Sequence, residues 1–152
     1  METWGPRGEL DELALWRQLA RLTEQVNTAA SRRLTRGHGV STAELLLLLS
    51  LSERRDGTLR ISELVRTLGT NQPSVSRMVA RLEEAEWVVR HSAVDDRRGV
   101  DVRITEAGRQ VAGAAEQTLR KTLTETFDAA AVSDSTASLI ARLRYAPAMP
   151  VD

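Results

Sequence analysis

From Gly8 to Arg36 the apolar residues Leu15, Leu19, Leu22, Val26 and Ala30 recur at intervals of three and four, which lines them along one face of a helix. Leu10, Leu13 and Trp16 widen the stripe. A face this wide predicts burial against more than one neighbour, a second subunit among the candidates. After the Gly37-His38-Gly39 break, Ser41 and Glu44 have the spacing of a capping box, in which hydroxyl and carboxylate satisfy the free N–H groups of a helix start. A second helix is therefore expected from about Thr42 to Arg54. Its run from Leu45 to Leu49 is apolar nearly all round and belongs at the centre of a fold.

Asp56-Gly57 marks a turn and Leu59 to Ile61 a very short strand. Ser62 can cap a short third helix that ends at Leu68, where Gly69 stops it. Asn71 is a good N-cap and Pro73 is tolerated only in a first turn, so a fourth helix runs to about Ala85. Two short helices joined by a tight glycine-containing turn form a helix-turn-helix, whose second helix can lie in the DNA major groove. Beyond it, Trp87 to Ser92 and Val100 to Ile104 flank the polar, glycine-bearing segment Asp95-Asp96-Arg97-Arg98-Gly99. Val100, Val102 and Ile104 alternate with Asp101 and Arg103, the period of a half-buried strand. The pair is a β-hairpin tipped with arginine, a wing. Thr105 can cap a further helix, along which Val111, Ala115, Leu119, Leu123 and Phe127 step by four, and a last helix is expected from Ser133 to Arg144.

These elements predict one domain over 1–152, mainly α with a small β-wing. A winged helix-turn-helix over 41–105 lies between terminal helices over 8–36 and 106–145, and 146–152 is a tail. The 152 residues allow a single domain with a real core, and 41% hydrophobic residues against 28% charged ones place the chain among folded globular proteins. No apolar run approaches the length of a membrane span. The first residues carry acid and lack the basic and apolar regions of a signal peptide, so a cytoplasmic location is expected. With no cysteine and only His38 and His91, neither a thiolate nor a conventional metal site is expected, and no cofactor.

The formal charge is zero, which by itself argues against a nucleic-acid partner. Its distribution changes that. Between Gly57 and Leu82 the charged residues are Arg60, Glu63, Arg66, Arg77 and Arg81, four positive against one negative. On a helical wheel the fourth helix places Val75, Val79 and Leu82 on one side and Pro73, Ser74, Arg77, Ala80 and Arg81 on the other. Arginine can donate twice to guanine, serine can bond a phosphate or base edge, and the N–H groups near Asn71 and Gln72 make a phosphate site at the helix start. The candidate DNA-binding residues are Asn71, Gln72, Ser74, Ser76, Arg77 and Arg81, with Asp96, Arg97 and Arg98 in the wing. Taken alone, these arginines equally suit the solvated face of an amphipathic helix, and Arg97 and Arg98 could pair with Asp95 and Asp96 in an exposed turn. The conjunction of helix and hairpin is what favours DNA.

At this point the sequence resembles the MarR family of bacterial transcriptional regulators. The resemblance is carried by Leu64 to Gly69, by Pro73-Ser74-Val75-Ser76-Arg77 with Val79, Arg81, Leu82 and Glu83, and by Asp96-Arg97-Arg98 followed by Val102, Ile104, Thr105 and Gly108. It implies a homodimer whose first and last helices intertwine, with two winged modules binding one pseudo-palindromic operator in successive major grooves about 34 Å apart. It also implies a repressor released by a small aromatic or anionic ligand, for which Trp16 and His38 are the candidate contacts. Core packing for Trp16 and a plain loop role for His38 are the alternatives. Two departures stand out. Glu86 occupies a position where a glycine usually ends the recognition helix, and the missing cysteine removes peroxide sensing through a thiol.

An enzyme is not expected, because no nucleophile elbow, phosphate-binding glycine loop or paired carboxylates occur. The alternative is a winged helix used as a protein-interaction module without DNA binding.

Overall fold

The computed structural model describes residues 12–92 and 99–145. In chain order it comprises α1 (Glu12–His38), α2 (Thr42–Ser52), β1 (Thr58–Arg60), α3 (Ile61–Leu68), α4 (Gln72–Glu84), β2 (Val88–Ser92), β3 (Val100–Ile104), α5 (Glu106–Ala131) and α6 (Ala137–Tyr145). It is a mainly helical chain with a winged helix-turn-helix at its middle. Two compact units are present: residues 12–29 with 121–145, and residues 30–120.

The larger unit is built on α2. Leu45, Leu47, Leu48 and Leu51 are fully buried, and around them close Leu34, Val40, Leu64, Val75, Val79, Leu82, Val88 and Val102. The capping box at the start of α2 is present: the Glu44 N–H donates to Ser41 Oγ at 3.2 Å and the Ser41 N–H donates to Glu44 Oε2 at 2.7 Å. One leucine of the run, Leu46, points outward instead.

The hairpin pairs as the alternation of residues implies, from Val88 opposite Ile104 to Ser92 opposite Val100. Val102 and Ile104 face the core and Val100, the outermost of the three, is partly exposed. β1 adds a third antiparallel strand on the other side of β3, with Leu59 opposite Val102. That pairing moves the start of α3. Arg60 is still opposite Asp101 in the sheet, its N–H donates to Glu63 Oε2 at 3.0 Å, and the helix begins at Ile61. Ser62, the expected cap, is therefore inside the helix.

Each helix of the helix-turn-helix is closed at its C-terminus by a left-handed residue. Gly69 (φ 61°) follows α3, with its N–H and that of Thr70 directed to the carbonyls of Arg66 and Val65. After α4 the same device is made by Glu86, at φ 62°. Its N–H donates to Glu83 O and that of Trp87 to Leu82 O, both at 2.9 Å, the paired bonds of a Schellman motif. The cap that a glycine usually makes thus forms without one. Thr105 then joins three elements, donating from Oγ1 to Glu86 O at 2.8 Å and accepting from the Gly108 N–H at 3.0 Å as the cap of α5.

In the smaller unit Leu22, Ala130, Leu139 and Ile140 form the buried cluster, with Leu15, Val26 and Phe127 packed against it. The last helix starts at Ala137 rather than Ser133, because the buried Thr136 hydroxyl donates back to Ala130 O at 2.7 Å and closes α5 with a turn. Leu13, Trp16 and Leu19 of α1 and Leu143 of α6 remain exposed.

Candidate nucleic-acid interface

The orientation of α4 follows from its buried side. Val75, Val79 and Leu82 have no appreciable exposure, so the wheel position of every other residue is fixed relative to the core. Asn71 begins the helix by accepting the Ser74 N–H on its side-chain oxygen at 2.9 Å. Gln72, Pro73 and Arg77 are exposed and Ser74 is half-buried. Arg77 Nη2 reaches Ser74 Oγ at 3.4 Å, which places a guanidinium and a hydroxyl side by side on the outward face. No aspartate or glutamate occurs between Gln72 and Leu82 to compete with a phosphate. Ser76 is half-buried, and its carbonyl rather than its hydroxyl has a described role: it accepts from Arg90 Nη2 at 3.2 Å.

Arg90 is a residue that sequence reasoning missed. Its backbone N–H donates to Glu83 Oε1 at 3.2 Å and its Nε lies 3.2 Å from Glu83 Oε2, so β2 is tied to α4 at two points. No local motif marks it. Only the register of the hairpin brings position 90 over the end of α4.

Arg81, grouped above with the outward arginines, has a different set of partners. Its Nε and Nη2 donate one to each carboxylate oxygen of Glu44, and Nη2 also donates to Gly39 O at 2.9 Å. The Glu44 side chain is only 5% exposed while that of Arg81 is 55% exposed. Burial pushes the Glu44 carboxyl up, but hydrogen bonds from Arg81 and Ser41 outweigh it and hold the group below its ordinary value. The same bond raises Arg81 further above its usual range.

Asp96, Arg97 and Arg98 lie outside the described residues. The described parts of the wing stop at the Ser92–Val100 pair. Beside the outward face of α4, a groove of about 330 Å³ is lined by Ala43, Leu46, Leu68, Thr70, Ser74, Arg77 and Met78. Of the two candidate ligand contacts, Trp16 belongs to the smaller unit and is 63% exposed, so core packing within this chain is not its role. His38 belongs to the larger unit, half-buried, with Nε2 2.7 Å from Thr118 Oγ1. Among the described residues no helix is long and apolar enough to cross a membrane.

Comparison with known proteins gives a consistent result. The MarR family model matches residues 38–99. The chain is 33% identical over 70 residues to the HTH-type transcriptional repressor MdtR of Bacillus subtilis, a match covering 46% of this chain and 44% of that protein. It is 24% identical over 78 residues to the transcriptional repressor MprA of Escherichia coli, covering 51% of this chain and 44% of that one. The chain thus spans less than half the length of these curated relatives. Among solved structures it is similar to Sco3205, a MarR family transcriptional regulator from Streptomyces coelicolor in complex with DNA, with a TM-score of 0.75, 25% identity, and coverage of 92% of this chain and 88% of that one.

Proposed function

We propose that this chain, which belongs to the MarR family, is a homodimeric, sequence-specific DNA-binding regulator of transcription that acts as a repressor and is released from DNA by a small molecule. The observation that carries the reading is the outward face of α4, where Arg77 and Ser74 stand together on a helix whose opposite side is locked into the core. A guanidinium that meets no carboxylate among the described residues, set beside a hydroxyl, is suited to a guanine edge and a neighbouring phosphate. The likeness to Sco3205, itself in complex with DNA, supports the same reading.

The dimer is supported by the exposed Leu13, Trp16, Leu19 and Leu143, apolar side chains that a second copy would remove from water. Two copies bring two α4 helices, which calls for a pseudo-palindromic operator. Repression is supported by the descriptions of MdtR and MprA as repressors. For a small aromatic or anionic ligand, the candidate contacts are, each within its own unit, the exposed indole of Trp16 and the half-buried imidazole of His38.

The test is selection of a duplex from a random pool by the wild-type chain, followed by binding to that duplex and to unrelated DNA at several salt concentrations. A selected sequence, bound more tightly than unrelated DNA and with affinity falling as salt rises, is the expected result. No affinity for any duplex at low salt would overturn the reading and leave the winged helix as a protein-interaction module.

A further inference from the structure

Resting on the DNA-binding reading above, we propose that Arg81 is a positioning residue rather than a DNA contact: it holds the recognition helix α4 in register against the start of α2 through Glu44 and Gly39. Three observations carry this. The planar fork of Arg81 meets both oxygens of one carboxylate, the bidentate arrangement that fixes direction as well as distance. That carboxylate is buried and is itself held by the Ser41 N–H, so it is a fixed anchor and not a mobile surface group. A third bond goes to the carbonyl of Gly39, so one guanidinium joins the C-terminal half of α4 to both sides of the α1–α2 junction.

The consequence is a division of labour along one helix. Among the described residues Arg77, one turn earlier, is bonded only to a hydroxyl on its own face and can turn to a nucleic acid without breaking an ion pair with any of them. Arg81 would have to leave a buried carboxylate unpaired, which is strongly unfavourable. Arg90 acts at the other edge of α4, through Ser76 O and Glu83, so the helix is braced from α2 on one side and from β2 on the other. Base edges are read by donors placed to within a fraction of an ångström, so bracing of this kind bears on discrimination between sequences more than on general attraction to phosphate.

The experiment compares wild type with Glu44→Gln, Arg81→Ala and the double variant, on the duplex selected by the wild-type chain and on unrelated DNA of the same length. Glu44→Gln is the informative single change, because the amide can still accept the Ser41 N–H while the charge that holds Arg81 is gone. If Arg81 positions α4, Glu44→Gln lowers affinity for the selected duplex by about tenfold, leaves binding to unrelated DNA nearly unchanged, and leaves the salt slope as it was. The double variant is then no weaker than Arg81→Ala, since both changes break one contact. If Arg81 instead binds phosphate, Arg81→Ala reduces the salt slope by about one and Glu44→Gln leaves affinity unchanged or raises it by freeing the guanidinium, which overturns the proposal. Circular dichroism of each variant separates loss of positioning from loss of fold, because unfolding lowers binding to both duplexes in proportion. Failure of the wild-type chain to select or bind any duplex removes the DNA reading itself, an outcome distinct from wild-type binding that Glu44→Gln leaves intact.

Discussion

Gly108, in the first turn of α5, passes so close beneath Trp87 that a Cβ built on it would stand 2.1 Å from the Trp87 carbonyl oxygen and 2.9 Å from the side chain of Ile104. The same carbonyl accepts the Thr105 N–H at 3.0 Å, so it cannot move away without breaking the hairpin's link to α5. Gly108→Ala is therefore expected to destabilise the fold by about 2–3 kcal/mol, the upper part of the range for overpacking. A urea midpoint equal to that of wild type would contradict this.

Glu86 holds a left-handed conformation, φ 62°, with its side chain in solvent. A side chain there is penalised by contact between Cβ and the carbonyl, a penalty that glycine lacks. Glu86→Gly should raise stability by about 1 kcal/mol, read as a higher urea midpoint at unchanged slope. No gain would mean that the side chain contributes something its exposure does not reveal.

The lowered pKa of Glu44 makes stability depend on acid. A carboxyl whose native pKa lies below its unfolded value takes up a proton more readily in the unfolded chain. Its contribution is present in full above the ordinary value of 4.5 and is lost as pH falls through the lowered native value. Solvent around the half-exposed Arg81 limits its size. The stability difference between wild type and Glu44→Gln should thus be greatest near neutrality and shrink toward strongly acidic pH, measured by urea melts across that span. A difference independent of pH would remove the ionised carboxylate as its source.

On the DNA reading, Arg77→Ala should weaken binding to the selected duplex by roughly 1–3 kcal/mol, about 5- to 150-fold, and relax preference at the base it faces. Gel-shift titrations on a panel of single-base variants decide it. Equal losses on every sequence would make Arg77 a phosphate contact instead.

Trp16, 63% exposed, is the largest apolar side chain offered by the described part of α1. If it enters a subunit interface, Trp16→Arg shifts the chain toward monomer in sedimentation equilibrium, with the secondary structure unchanged. A dimer of undiminished strength would place the interface elsewhere.

Much of the fold was legible along the chain because its signals are local. The Ser41–Glu44 capping box, the Asn71 cap, the stop at Gly69 and the alternation of Val102 and Ile104 each depend on neighbours within a few residues, and all appear where the spacing puts them. The structure departs from the sequence pattern where backbone pairing overrides a side-chain preference. Ser62 is a good cap, yet the pairing of Arg60 with Asp101 ends the strand one residue earlier than a serine cap requires. Glu86 is a poor left-handed residue, yet the bonds from Glu86 and Trp87 back to α4 impose that conformation.

By itself the sequence determined which segments are helix and strand, which side of α4 is buried, and that Arg77 and Ser74 share its outer face, because periodicity and capping are properties of adjacent residues. Only the tertiary structure decided what each arginine touches. Arg81 and Glu44 are 37 positions apart and Arg90 and Ser76 are 14 apart, so neither pair leaves a mark on any local pattern. A guanidinium is ambiguous in sequence, equally able to meet a phosphate or a carboxylate, and it is packing that brings the buried Glu44 to one arginine of α4 and leaves the other on the open face.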